Sequence, residues 1–128
     1  MTEQNAKPLA LIIEDAHELV TAFTTALQLA GYETDAAYDG ATALTKLETT
    51  VPYLILLDLH LPHVSGEDIF RRIRNDTRFD KTRIIFVTAD HNSAQYLVSG
   101  RSEFILLKPV SFKQLKDMAS RLNPGAPI

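Results

Sequence analysis

Apolar residues along the chain follow two alternating periods. Leu9-Ala-Leu-Ile-Ile13 is a short unbroken apolar run, the pattern of a strand buried on both faces. Leu19, Val20, Phe23, Leu27 and Ala30 then recur at helical spacing, and Gly31 stands where a C-terminal cap belongs. Tyr32 to Ala37 reads as a strand, and Asp39 as the cap of a helix whose apolar face is Ala43, Leu44 and Leu47. Tyr53 to Leu57 is a second unbroken run. Ser65 opens a helix, with Asp68 three positions on as in a capping box, and Ile69 and Ile73 face the core. Arg83 to Val87 is a third buried strand. Residues 92–99 hold room for one short helix ended by Gly100, and Phe104 to Leu107 is the last strand. Ser111 and Gln114 make a capping box for a final helix carrying Leu115, Met118 and Leu122, which Asn123-Pro-Gly-Ala-Pro ends.

Strand and helix thus alternate five times. This order predicts an α/β fold with a parallel sheet, and right-handed crossovers place helices on both faces. The expected organisation is a tail over 1–8, one domain over 9–122 and a tail over 123–128. A chain of 128 residues, 45% of them hydrophobic, can bury a proper core. The absence of cysteine excludes a disulfide scaffold, thiolate metal sites and cysteine catalysis. No apolar run approaches the roughly 20 residues of a membrane span. The first eight residues hold no apolar signal-peptide core, so the expectation is a cytoplasmic protein with no membrane contact.

The net charge of −3 is unevenly spread: two bases against nine acids over residues 1–66, then eleven against seven. Arg71, Arg72, Arg74 and Arg78 cluster, but Glu67, Asp68, Asp76 and Asp80 interleave with them. That mixture reads as a solvated helix face rather than a nucleic-acid patch, and no aromatic interleaving supports single-strand stacking.

The residues that could carry chemistry stand just after the buried runs. Glu14 and Asp15 follow the first strand, Asp58 the third, Thr88 the fourth and Lys108 the fifth. In an open parallel sheet the carboxyl ends of all strands share one edge, where ligands bind. Singly, each residue has an ordinary structural use: helix cap, turn former, dipole partner or ion pair. Together they fit one job. Crowded carboxylates need a cation, and hard oxygen ligands select Mg²⁺, or Mn²⁺, over zinc. Lys108 and Thr88 suit a phosphoryl group, and Asp58 would be the nucleophile that forms an aspartyl phosphate. His60 and His63 could be read as a zinc pair, but their spacing in a turn lacks a third ligand.

At these residues the sequence resembles the receiver domain of two-component response regulators, from about Leu9 to Arg121. Ile-Ile-Glu-Asp (12–15) looks like the family's acidic pair, and Leu-Leu-Asp-Leu-His-Leu-Pro-His-Val-Ser-Gly (56–66) like its phospho-acceptor strand and loop. Val-Thr-Ala (87–89) matches the hydroxyl position, Leu-Lys-Pro (107–109) the lysine, and Tyr-Asp-Gly (38–40) also looks familial. The resemblance implies a flavodoxin-like, doubly wound sheet in the order 2-1-3-4-5, with a cis Lys108-Pro109 bond. It implies Mg²⁺ held by Asp15, Asp58 and the His60 carbonyl, with Glu14 acting through a water. Thr88, Lys108 and the amides of His60 and Ala89 would hold phosphoryl oxygens. The implied donor is a sensor histidine kinase or a histidine phosphotransfer protein, and spontaneous hydrolysis would reset the switch. His60 and Asp90 occupy positions that in the family tune that lifetime.

The chain also departs from the pattern. The family commonly carries Tyr or Phe three residues before the lysine, where this sequence has Ile105. Alternation sends Phe104 to the opposite face unless a register irregularity between Arg101 and Phe104 restores it to that role. The segment from Thr88 to Lys108 is short for the family, so the fourth helix is expected to be short or frayed. Tyr96, Leu97 and Val98 are candidate exposed output contacts there, with packing against the sheet as the alternative. A homodimer through the face of the fourth helix, last strand and last helix is a further expectation. The tail after Arg121 leaves no room for a helix-turn-helix. Read as a complete chain, the protein would act through an unknown protein target or onward phosphotransfer, without direct nucleic-acid contact; read as an excised piece, its output would lie beyond Ile128.

Three other readings fit less well. A flavodoxin-like electron carrier needs a hydroxyl- and glycine-rich phosphate loop, where Glu14-Asp15-Ala-His-Glu18 presents acid. A small aspartate-nucleophile phosphatase places a second Asp two residues after the first, where this chain has His60. A protein-binding pseudo-receiver would not need all of Glu14, Asp15, Asp58, Thr88 and Lys108.

Overall fold

A computed structural model describes residues 6–98 and 102–125. Its strands are β1 (Leu9–Ile13), β2 (Glu33–Ala37), β3 (Leu54–Asp58), β4 (Arg83–Thr88) and β5 (Glu103–Leu107). Its helices are α1 (His17–Leu29), α2 (Gly40–Thr49), α3 (Gly66–Arg74), α4 (His91–Leu97) and α5 (Phe112–Leu122). The strands pair in parallel in the order β2-β1-β3-β4-β5. This is the flavodoxin-like order expected from the sequence.

Strand alternation divides the core in two. Leu11, Ile13, Ile55, Leu57, Ile84 and Phe86 pack under α2, α3 and α4. Ala10, Ile12, Leu54, Leu56, Ile85 and Val87 pack under α1 and α5. Central strands covered on both faces must be apolar throughout, which is why β1, β3 and β4 read as unbroken runs. At one edge, β2 keeps Glu33 and Asp35 exposed.

The caps fall where the side chains suggested. Asp39 accepts from the Thr42 amide at 2.7 Å, Ser65 from Asp68 at 3.1 Å and Ser111 from Gln114 at 3.2 Å. Gly31 follows α1 at φ +95°, a conformation that favours glycine, and the Asn123 side-chain amide donates to the Ala30 carbonyl at 2.9 Å. Tyr32 does not join β2. It is fully buried, and its hydroxyl donates to the Ala119 carbonyl of α5 at 2.8 Å. Burial pushes the phenol above its usual titration range. Tyr32→Phe keeps the ring and removes this bond, so it should cost about 1 kcal/mol of unfolding free energy, read by urea titration.

Two expectations need correction. The arginine cluster is not wholly a solvated face. Arg71 and Arg78 pair with nearby Glu67 and Asp76 in exposed ion pairs, but Arg74 turns inward to Glu103 of β5 at 2.7 Å. Its inward reach is supported by a single 3₁₀ turn, Thr77–Phe79, that the periodicity did not indicate. The fourth helix is short, as expected, but it starts at His91 and stops at Leu97, and Gly100 lies outside the described residues. Only Tyr96 of the three expected contacts faces outward, at 84% exposure; Leu97 and Val98 pack against the sheet. An amphipathic turn this short must spend its apolar positions on the core.

Candidate functional site

The carboxyl edge of the sheet gathers the polar strand ends. Glu14 extends the β1 ladder by donating its amide to the Ala37 carbonyl at 3.1 Å, which turns its side chain into the protein at 2% exposure. Asp15, next in the chain, faces solvent. Asp58 ends β3 and is 2% exposed. Carboxylate oxygens of Glu14, Asp15 and Asp58 lie within 4.8 Å of one another. Lys108 closes the cluster from β5, its Nζ 3.2 Å from Glu14 Oε1 and 3.5 Å from Asp58 Oδ2. The Lys108 amide donates to the Thr88 carbonyl at 2.8 Å, so β4 positions the lysine. The Lys108-Pro109 bond that follows is cis.

The remaining contacts orient this cluster. Asp58 Oδ1 accepts from the His60 amide at 3.0 Å, which fixes the carboxylate on the loop after β3. The buried Thr88 Oγ1 accepts from the Asp90 amide at 3.0 Å. Asp90 caps α4 through the amides of Asn92 and Ser93 and the Ser93 hydroxyl. His60, Ala89 and Asp90 are exposed around the cluster. Gly66 lets α3 begin against the end of β3: a Cβ there would overlap the Asp58 carbonyl oxygen and lie 2.6 Å from Leu59 Cα. His63, in the same loop, holds a left-handed φ of 68°.

Electrostatics favour a cation here. Burial, with the Asp58 charge adding to it, raises the Glu14 carboxyl to about 7, against the lowering effects of the Ala16 amide and Lys108. Glu14 Oε2 accepts from the Ala16 amide at 3.1 Å. Glu14 Oε1 has Lys108 within ion-pair reach but no well-directed hydrogen bond. A buried oxygen left in this state, beside two further carboxylates with one open to solvent, is a donor set suited to a hard divalent ion. His60 and His63 belong to no group of three or more candidate ligands among the described residues, so the zinc pair finds no support.

The structure separates the two switch candidates. Register is regular, with Phe86 opposite Ile105 and Ile85 opposite Phe104. Ile105 therefore packs on the α2–α3–α4 side and Phe104 on the α1–α5 side. Arg101 lies outside the described residues. One feature beside the acids had no signal in the sequence. His17 stacks on Tyr38 with ring centroids 4.2 Å apart and planes at 15°. The two are distant in sequence, and only the β1–β2 pairing brings them together.

A family model described as the response regulator receiver domain matches residues 10–120. The chain belongs to this family. Receiver domains are regulatory phospho-acceptor modules of two-component signalling, and they generally bind Mg²⁺ at an acidic pocket. Among curated relatives, the phosphate regulon transcriptional regulatory protein PhoB of Rhizobium meliloti is 30% identical over 124 residues, 91% of this chain and 54% of that protein. The transcriptional regulatory protein AfsQ1 of Streptomyces coelicolor is 34% identical over 111 residues, 84% of this chain and 48% of that protein. The chain thus spans about half the length of these relatives. Among solved structures, the chemotaxis protein CheY4 of Vibrio cholerae superposes with a TM-score of 0.81 at 24% identity, covering 91% of this chain and 99% of that one. That likeness establishes the fold. No helix among the described residues is long and apolar enough to cross a membrane.

Proposed function

We propose that this receiver accepts a phosphoryl group on Asp58, from a phosphohistidine of a sensor kinase or phosphotransfer protein. The observation that carries the reading is Lys108 Nζ lying between Glu14 and Asp58 inside a three-carboxylate cluster. Asp15, Asp58 and the His60 carbonyl would hold Mg²⁺, or Mn²⁺ in its place, with Glu14 bound through a water. The ion supplies charge neutralisation for the entering phosphoryl group. An Asp58 carboxylate oxygen attacks phosphorus, the P–N bond of the donor breaks, and its electron pair leaves on the imidazole nitrogen. Lys108 offsets charge on the phosphoryl oxygens, joined by the Thr88 hydroxyl and the amides of His60 and Ala89. Hydrolysis then restores the carboxylate, and His60 and Asp90, flanking the cluster, set its rate. His60→Ala and Asp90→Ala should both shift the dephosphorylation rate. Output passes to a protein target from the α4–β5–α5 face, where Tyr96 is exposed, with homodimerisation through that face as one form of it.

The test uses acetyl phosphate as donor, with intact-mass detection and peptide mapping. A single phosphoryl adduct on Asp58, formed with Mg²⁺ and not formed when EDTA is present from the start, is expected. No adduct, or one indifferent to Mg²⁺, would overturn the reading. Proton linkage gives a second check. Glu14 titrates at about 7 in the metal-free protein, so ion binding should release a proton. Mg²⁺ affinity should rise between about pH 6 and pH 8, with calorimetric enthalpies that depend on buffer ionisation.

A further inference from the structure

Gly40 opens α2 on the far side of the acceptor loop, and nothing in the proposed chemistry uses it. Its surroundings are tight. A Cβ on Gly40 would lie 2.7 Å from Val64 Cβ, 3.0 Å from the Val64 carbonyl oxygen and 3.1 Å from Ile69 Cδ1. The backbone at Gly40 is ordinary, so the requirement is one of space. The start of α2 therefore lies directly against the loop that joins β3 to α3. Asp39 fixes that start by accepting from the Thr42 amide at 2.7 Å.

The loop in question carries the site. Its His60 amide holds Asp58 Oδ1 at 3.0 Å, and its His60 carbonyl is the proposed backbone ligand. Behind the loop, Gly66 is seated on the Asp58 and Leu59 backbone, and its amide donates to the Leu59 carbonyl at 3.2 Å. Leu61 and Val64 pack partly into the core beneath α2 and α3. A seven-residue connection from Leu59 to Ser65 is thus fixed behind by Gly66 and from the side by Gly40.

We propose that Gly40 is a positioning residue: it lets the start of α2 brace Val64, and through Val64 holds His60 in register with Asp58. This rests on the reading of Asp58 and His60 given above. The physical link is short. Moving Val64 away from α2 moves a loop whose opposite end is the His60 amide, and metal sites respond to the groups that orient their ligands.

The test is a set of three variants: Gly40→Ala, Val64→Gly and the double substitution. The readouts are the dissociation constant of Mg²⁺ alone and the His60 amide resonance in metal-free protein. Gly40→Ala should weaken Mg²⁺ binding roughly tenfold and shift the His60 resonance. Val64→Gly vacates the brace from the other side and should weaken binding less. The double variant exchanges the glycine and the Cβ across the contact, so it should bind Mg²⁺ more tightly than Gly40→Ala. A general loss of stability would not give this recovery, because Val64→Gly removes packing in either background.

Unchanged affinity and resonance in Gly40→Ala would overturn the proposal, as would a double variant no tighter than the single. If Gly40→Ala does not fold, Val64→Gly decides alone, with an unmoved His60 resonance as the contrary result. If wild-type protein binds no Mg²⁺, the metal reading fails while the His60 resonance still reports on the brace.

Discussion

Asp58→Asn is expected to abolish phosphoryl acceptance entirely and to leave the metal-free fold at least as stable as wild type at about pH 8. The first half follows from chemistry: an amide lacks the anionic carboxylate oxygen that attacks phosphorus. The second follows from the cluster. Asparagine is nearly isosteric, and its carbonyl oxygen can still accept from the His60 amide. What disappears is a buried negative charge that disfavours ionisation of Glu14. In wild type the folded Glu14 carboxyl titrates at about 7, against 4.5 for the unperturbed group. Between those values the folded state binds more protons than the unfolded state. That part of the stability is complete below the lower value and is lost as pH rises through the upper one. Removing the Asp58 charge lowers the Glu14 titration point, although burial, the larger cause, remains. The pH-dependent loss should therefore shrink. Urea titrations of both proteins at about pH 5 and pH 8 without metal measure it. Residual modification of the variant would place the acceptor elsewhere. A variant less stable than wild type at the higher pH would mean that the Asp58–Lys108 attraction outweighs the repulsion.

Legibility in the sequence followed burial. β1, β3 and β4 were readable because strands covered on both faces must be apolar, and Asp58 and Thr88 stood out as the polar residues ending such runs. The site was readable for the same reason: in a parallel sheet every strand end falls on one edge, so sequence order alone predicts convergence. β2 was harder, because an edge strand keeps exposed positions, and its first expected residue, Tyr32, turned out to belong to the core. Alternation was enough to assign Ile105 and Phe104 to opposite faces. Contacts between residues distant in sequence were not readable. Nothing local marks His17 as the partner of Tyr38, Gly40 as the seat of Val64, or Arg74 as different from Arg72.

That last distinction sets the largest stability effect expected. The Arg74 guanidinium joins three parts of the chain: its Nε meets Glu103 Oε2 at 2.7 Å, and its two terminal nitrogens donate to the Phe79 and Thr82 carbonyls at 3.0 Å each. Its carbon lies 5.9 Å from the Phe70 ring centroid. Glu103 has a fully buried side chain and Arg74 only 15% exposure, so solvent screens little of the pair. Arg74→Ala removes a charged donor from a buried carboxylate and one donor each from the Thr82 and Phe79 carbonyls, the latter keeping the Thr82 amide at 3.0 Å, at an expected cost of about 3 kcal/mol. Arg74→Lys should recover a minority of that, because a single ammonium cannot span three separated acceptors as a planar guanidinium does. Exposed pairs such as Arg71–Glu67, which solvent screens, should contribute far less. Urea unfolding of these variants separates the cases, and a cost for Arg74→Ala in the exposed-pair range would show that the pair behaves as a surface one. The position of the effect is also constrained. Glu103 begins β5 and Lys108 follows its end, so the clamp and the acidic cluster occupy opposite edges of the sheet. Arg74→Lys, studied well below its unfolding transition, should therefore keep the wild-type Mg²⁺ affinity. Loss of affinity in a folded Arg74→Lys protein would mean that the position of β5 along β4 sets where Lys108 stands.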